Sequence, residues 1–248
     1  ISIVSRLAEE FRAAKGTMSE PETVLAIGAH PSDIEVGVGG ILAAHKAAGD
    51  NINLLIMSRG GRKGNVSSRQ NEAFMSAEKL GARLILEDLV DTEISSAEPT
   101  VGLIDKAVRE VNPTIVYVHS DHDLHQDHRS VHAATLLATR GVRTVSCYQS
   151  SSSTPDFRPN RFMNIDGFVE AKSELVGCHK SQVETSRYYA LDFVTATARY
   201  WSRFGDGDYC EPLEIVRDSS DVSMGSSDVA QALKQHRLAQ GRLRQLPQ

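Results

Sequence analysis

Imidazole and carboxylate groups crowd into two short segments of this 248-residue chain, Ala29-His30-Pro31-Ser32-Asp33-Ile34-Glu35 and His119-Ser120-Asp121-His122-Asp123-Leu124-His125-Gln126-Asp127-His128. Zinc takes nitrogen, sulfur or oxygen ligands in a tetrahedron, and a catalytic site leaves one position to water. His30 and Asp33 are three apart in a tight turn and can point into one concavity. His128 opens a helix on the other segment, so the three make a His₂Asp set. His125 and Asp127 flank His128 without needing to bind metal. A carboxylate beside an imidazole orients the ring and favours its charged form. His125, braced by Asp127, is therefore expected to stabilise an oxyanion and protonate a leaving amine. His132, one turn further on, is expected on the helix face. His119, Asp121, His122 and Asp123 are expected in a solvated polar loop or at a pocket rim. Ser32 stands where metal-assisted hydrolysis wants a base.

Both segments must be held by regular elements. The apolar run Val24 to Gly28 and the β-branched, aromatic run Thr114 to Val118 read as strands, each ending just before a cluster. Strands at Ile52–Met57, Leu84–Leu86 and Thr144–Tyr148 alternate with helices at Gly37–Ala48, Ser67–Leu80, Val101–Val111 and about Asp127–Arg140. The alternation implies βαβ units: an α/β, Rossmann-like fold, its largely parallel sheet carrying helices on both faces. A site built after strand ends then lies at the carboxyl edge of the sheet, where open parallel sheets bind ligands. Gly37, Gly39 and Gly40 lack the G-x-G-x-x-G spacing and are expected to serve close helix–strand packing. Further on, Ser150–Pro159 reads as a surface loop. Phe162–Ile165 and Glu211–Arg217 read as strands, and Phe168–Cys178 and Val183–Arg203 as helices. Residues 1–218 are expected to form one domain with an N-terminal helix over 1–16. Residues 219–248 are expected to form a linker and a basic helical tail.

The bulk composition narrows the classes. The net charge of −5 argues against nucleic acid as a partner. No run approaches the roughly 18 apolar residues of a membrane helix. The charged N-terminal stretch reads as no signal peptide, and three scattered cysteines form no disulfide framework. A reduced, cytoplasmic setting is the expectation.

The two segments also resemble a known family. Ala29 to Glu35 is similar to the AHPDDxE signature of the LmbE/PIG-L zinc-dependent N-deacetylases, and His125-Gln126-Asp127-His128 to their HxDH motif. Gly60-Gly61 with Arg69-Gln70-Asn71-Glu72, and Lys172 with His179-Lys180-Ser181-Gln182, resemble two further family segments. The likeness spans roughly Val24 to Val216. It implies a hydrolase that removes an acetyl group from an amino-sugar-like small molecule, including intermediates of thiols, glycolipids and antibiotics in secondary metabolism. It implies Zn²⁺ held by His30, Asp33 and His128, with His125 as acid or oxyanion stabiliser and Asp127 as its partner. Arg69 would contact substrate hydroxyls or a phosphate. Glu35 would support the turn on the substrate side. Relatives of this kind often form homo-oligomers, and no pattern here fixes a subunit number. Ser32 departs from the signature, replacing the first Asp, the general base for the attacking water. A serine hydroxyl is not basic near neutral pH. Either Glu35, Asp121 or Asp123 substitutes, or the chemistry is slow or substrate-assisted, or the chain binds a sugar-like ligand without turning it over. Phosphoester hydrolysis, which more often uses two metals, is a further reading.

Overall fold

The computed structural model describes residues 21–219 apart from residue 64. The expected N-terminal helix over 1–16, and the tail beyond 219, lie outside the described residues. Five strands run parallel: β1 (Thr23–Gly28), β2 (Asn51–Ser58), β3 (Arg83–Leu89), β4 (Ile115–His119) and β5 (Thr144–Tyr148). Two more, β6 (Arg161–Asn164) and β7 (Cys210–Asp218), add antiparallel at one edge, giving the order β3-β2-β1-β4-β5-β7-β6.

The alternation of side chains along a strand assigns each residue to a face. In β1, Val24 and Ala26 enter one apolar core while Leu25 and Ile27 enter the other. The first core is closed by α1 (Asp33–Ala48), α2 (Val66–Leu80), α5 (Val169–Gly177) and α7 (Leu191–Trp201), through Ile34, Leu80, Leu175 and Ala198 among others. The second is closed by α3 (Thr100–Val111) and α4 (Gln126–Ala138), through Ile104, Ala107, Val131 and Ala134. Helices therefore cover both faces of a largely parallel sheet, as the sequence predicts.

The strand order adds what periodicity cannot show. From β1 the chain winds outward to β2 and β3, then returns to place β4 on the other side of β1. The loops after β1 and β4 leave neighbouring strands in opposite directions, and the crevice between them is the switch point where doubly wound sheets bind ligands. Both histidine clusters sit in those two loops.

Helix α1 is kinked at Val38 (φ −134°, ψ 20°). The Glu211 carboxylate on β7 accepts the N–H groups of Gly40 and Ile41 at 2.9 and 2.7 Å, satisfying donors freed by the break. The ring of Tyr148 lies against Gly37 so closely that a Cβ there would overlap it. These glycines serve close packing, Gly40 against Ile165 and Gly39 against Lys172. The helix expected over Val183–Arg203 is broken. A short helix α6 (Lys180–Val183), extended backbone at Ser186 and a 3₁₀ turn at Arg187–Tyr189 precede α7. The break brings Tyr189 to the wall of the switch-point crevice.

Candidate metal centre

After Gly28 the chain makes a tight turn, with Asp33 N–H donating to His30 C=O at 3.3 Å, and Asp33 begins α1. The Asp33 Oδ2 atom is the focus of the site. It accepts the His30 backbone N–H at 2.8 Å and lies 3.4 Å from both His30 Nδ1 and His128 Nε2. Four ligands at about 2.0–2.1 Å in a tetrahedron sit roughly 3.3 Å from one another. The donors of His30, Asp33 and His128 all fall within 4.8 Å of one another, and the three side chains are buried. The predicted triad is therefore brought together, and its donor set fits a divalent cation, with Asp33 Oδ2 at 3.4 Å from each imidazole nitrogen.

Each outward imidazole nitrogen has a carboxylate. His30 Nε2 lies 3.0 Å from Asp127 Oδ2 and 3.2 Å from Asp91 Oδ1. His128 Nδ1 lies 3.0 Å from Asp123 Oδ2. Such partners fix the ring and raise its basicity as a ligand. Burial works against the charged form of His128, yet Asp33 and Asp123 push its pKa up to about 9. Burial likewise opposes a charged His30, and Asp127, Asp33 and Asp91 hold it well above the usual histidine range. Asp33 is held well below the carboxylate range by His128, His119 and His30 despite its burial. Four carboxylates thus converge on two imidazoles, an excess of negative charge suited to a cation.

Two expectations about roles are corrected. Asp127 does not brace His125. Its oxygens take His30 and the backbone N–H groups of Thr92 (2.7 Å) and Ile94 (3.2 Å). Its own backbone N–H donates to His125 Nδ1 at 3.2 Å. With Nδ1 accepting, a neutral His125 carries its proton on Nε2. Burial and the charges of His128 and His30 lower the pKa of His125, so it is not a standing imidazolium. The ring lines the cavity as a hydrogen-bond donor. Glu35, expected on the substrate side, is 2 % exposed and is not part of the cavity wall. It accepts Ser76 Oγ at 2.6 Å and faces His179 Nε2 at 3.1 Å, tying the turn to α2. It sits on the far side of α1 because that helix turns it into the protein.

Arg69 does border the cavity, but its guanidinium turns inward. Its two terminal nitrogens donate to Gly60 C=O (2.9 Å) and Pro31 C=O (2.8 Å), pinning the turn that carries His30 and Asp33 to the loop after β2. Ser32 is fully buried in the left-handed region (φ 87°) and caps no N–H of α1. Its Oγ has no hydrogen-bond partner, though the Tyr189 phenol lies near it. None of the substitute bases considered from sequence reaches the cavity wall. Asp121 is exposed, Glu35 is turned away, and Asp123 is engaged by His128, Ser150 and Ser152. Of the carboxylates on that wall, Asp33 and Asp91 alone are found among the described residues. Asp91 accepts the Arg62 N–H at 2.9 Å, and its pKa, raised by burial, is brought down to about 2 by His30 and that N–H.

Sequence reasoning missed Asp91, and it expected His119 and Asp123 in a solvated loop or at the pocket rim, whereas both are buried behind the site. His119 is fully buried, with Nε2 accepting the Ala29 N–H at 3.0 Å and its ring stacked on His128 at 3.8 Å. Its place as the last residue of β4 was the available signal, since strand ends form this crevice. Asp91 follows β3 and carried no motif. The cavity lined by His30, Asp33 and His128 encloses about 530 Å³, and Gln182, Tyr188 and Tyr189 also line it.

The GlcNAc-PI de-N-acetylase (PIG-L) family model matches residues 25–139, which contain every candidate ligand. A protein of Escherichia coli (strain K12), described as the uncharacterized deacetylase YaiS, is 30% identical over 170 residues, covering 64% of this chain and 90% of that protein. The chain belongs to the LmbE/PIG-L deacetylase family. Solved structures agree on the LmbE/PIG-L fold. The N,N'-diacetylchitobiose deacetylase of Pyrococcus horikoshii superposes with a TM-score of 0.71 at 18% identity, covering 85% of this chain and 90% of that one. GalB, the 4-carboxy-2-hydroxymuconate hydratase of Pseudomonas putida KT2440, gives 0.69 at 21%, covering 81% and 98%. The LmbE/PIG-L fold thus also resembles that of a hydratase, and the reaction must be argued from the site.

Proposed function

We propose that this chain is a zinc-dependent N-deacetylase acting on an N-acetylated amino-sugar-like small molecule, with activity weakened by Ser32. The observation that carries this is the buried His30–Asp33–His128 triad, with Asp33 Oδ2 at 3.4 Å from both imidazoles and those imidazoles backed by Asp127, Asp91 and Asp123. Membership of a deacetylase family supports amide hydrolysis. A divalent cation held there supplies Lewis-acid activation of water and of the acyl carbonyl.

The chain's own groups supply the rest. Nε2–H of His125 donates to the oxygen on which charge develops as water adds to the acyl carbon. As the C–N bond breaks, the departing amine takes up the proton that the adding water gives up, and acetate and free amine leave, with the neutral His125 keeping its Nε2–H. Burial and the charged neighbours that lower the pKa of His125 favour this neutral, hydrogen-bond-donating form. Gln182 and Tyr189 offer hydrogen-bonding groups to sugar hydroxyls across the cavity. Ser32 cannot accept the proton of the attacking water, and loss of a positioned base costs about 10²–10⁴ in rate.

Acetate release from N-acetylglucosamine by the zinc-loaded chain and by Ser32→Asp tests the reading. A slow wild-type rate that rises at least 100-fold in Ser32→Asp is expected. Zinc binding with no acetate from either protein would overturn it in favour of a ligand-binding role on the deacetylase scaffold.

A further inference from the structure

Arg69-Gln70-Asn71-Glu72 and His179-Lys180-Ser181-Gln182, far apart in sequence, meet in the fold. Glu72 of α2 takes both donors of Ser181. The Ser181 N–H reaches Oε1 at 2.8 Å and its hydroxyl reaches Oε2 at 2.7 Å. Ser181 is the second residue of α6, and the N-cap of that helix, His179, makes no side-chain cap hydrogen bond. A helix start leaves its first N–H groups without partners, and here a carboxylate from another element takes one. Hydrogen bonds to an ionised carboxylate are roughly twice as strong as neutral ones.

The stretch that α6 opens lines the cavity beside His30, Asp33 and His128, through Gln182, Thr185, Ser186, Tyr188 and Tyr189. Its other links are longer. Ser151 Oγ meets the Tyr189 hydroxyl at 3.4 Å, and His179, just before α6, faces Glu35 at 3.1 Å. The same helix α2 also holds the turn with the metal donors. One turn before Glu72, Arg69 donates to Pro31 C=O at 2.8 Å, and one turn after it Ser76 Oγ donates to Glu35 at 2.6 Å. Residues one turn apart on α2 thus fix the His30–Asp33 turn relative to the stretch that carries Gln182. Gln182 is 5% exposed, and its Nε2 meets Ser181 Oγ at the long distance of 3.5 Å. A contact of that length leaves the amide with hydrogen-bonding capacity for a ligand.

We propose that Glu72 is a positioning residue for ligand recognition: through Ser181 it sets where the Gln182 amide stands relative to His30 and Asp33. The kinetic form of this claim rests on the deacetylase reading, while its binding form rests on the Glu72–Ser181 pair.

The full zinc-loaded chain is compared with Glu72→Ala, Gln182→Ala and the double variant. D-glucosamine, the free-amine product, is titrated calorimetrically, and N-acetylglucosamine is the kinetic probe. Glu72→Ala is expected to raise both the glucosamine Kd and the N-acetylglucosamine KM at least tenfold, with kcat and zinc affinity within twofold of wild type. Adding Gln182→Ala to Glu72→Ala should cost less than twofold more, because Glu72 acts through that amide. Glu72→Gln keeps an acceptor for the Ser181 N–H and should return Kd to within threefold of wild type. Amide hydrogen exchange over residues 180–190 should quicken at least tenfold in Glu72→Ala and stay unchanged over residues 29–35. Should Glu72→Ala not fold, Ser181→Ala, which removes the hydroxyl bond alone, carries the same comparison with a threefold effect.

Zinc affinity falling together with ligand affinity would mark a merely structural role and overturn the proposal. So would an unchanged Kd in Glu72→Ala, a wild-type chain that binds no glucosamine, or multiplying effects of Glu72→Ala and Gln182→Ala. If wild type and Glu72→Ala release acetate with equal KM, the positioning role falls and the deacetylase stands. If no chain releases acetate while the Kd pattern holds, the reaction falls and the positioning role stands.

Discussion

His30 shows why single residues in this site cannot be read alone. One edge of its ring is directed at Asp33, 3.4 Å away, and the other at Asp127 and Asp91. The motif around His128 placed Asp127 next to His125, so sequence adjacency suggested a pairing that folding does not make. Backbone geometry decided otherwise. At the start of α4 the Asp127 side chain turns away from His125 to the N–H groups of the loop after β3, while only its N–H meets the His125 ring. Asp127→Asn should accordingly weaken zinc binding by about 10–100-fold, because partners behind a metal-binding imidazole contribute on that scale. Competition against a chromophoric chelator measures it, and unchanged affinity would return Asp127 to the role first expected of it. Ser32 was legible as a departure from its type alone. Its left-handed backbone and orphaned hydroxyl were not, because a serine at a helix start is ordinarily a capping residue.

At the level of elements, the βαβ alternation was legible because short strand-like apolar runs, from Leu84–Leu86 to Ile52–Met57, alternate with amphipathic segments. Boundaries differed by a few residues: Gly37 was expected to open α1, which begins at Asp33. The segment after Val183 was misread as one helix, since the aromatic and aliphatic residues there satisfy a helical period whether or not the backbone is continuous. Glu211 could not have been understood from sequence. It meets Lys172, Gly40 and Ile41 only after β7 has been laid beside β5, with more than 160 residues between it and the kink it stabilises. Glu211→Gln leaves the buried Lys172 charge without its counter-ion and should cost about 3–5 kcal/mol. Urea unfolding measures this, and a loss below about 1 kcal/mol would show that the pair does not hold the kinked helix.

For the molecule as a whole, class and carboxyl-edge placement followed from periodicity. The decisive fact, that β4 lies beside β1, did not, because strand order depends on long-range pairing that no local window contains. That one pairing brings two segments nearly a hundred residues apart to the same crevice, with His30, Asp33 and His128 together. Holding a cation that the unfolded chain does not grip adds stability by mass action. At zinc 100-fold above Kd the gain is about 2.7 kcal/mol, or roughly 5–10 °C in Tm for a chain of this size. Chelation should reverse that shift, and a Tm indifferent to zinc and chelator would count against a preformed site. The most direct test of the central claim is the zinc content of the purified chain beside His128→Ala with matched circular dichroism spectra. One zinc per wild-type chain and none in the variant is predicted. No zinc in the wild type, or equal zinc in both, would contradict a site built on His30, Asp33 and His128.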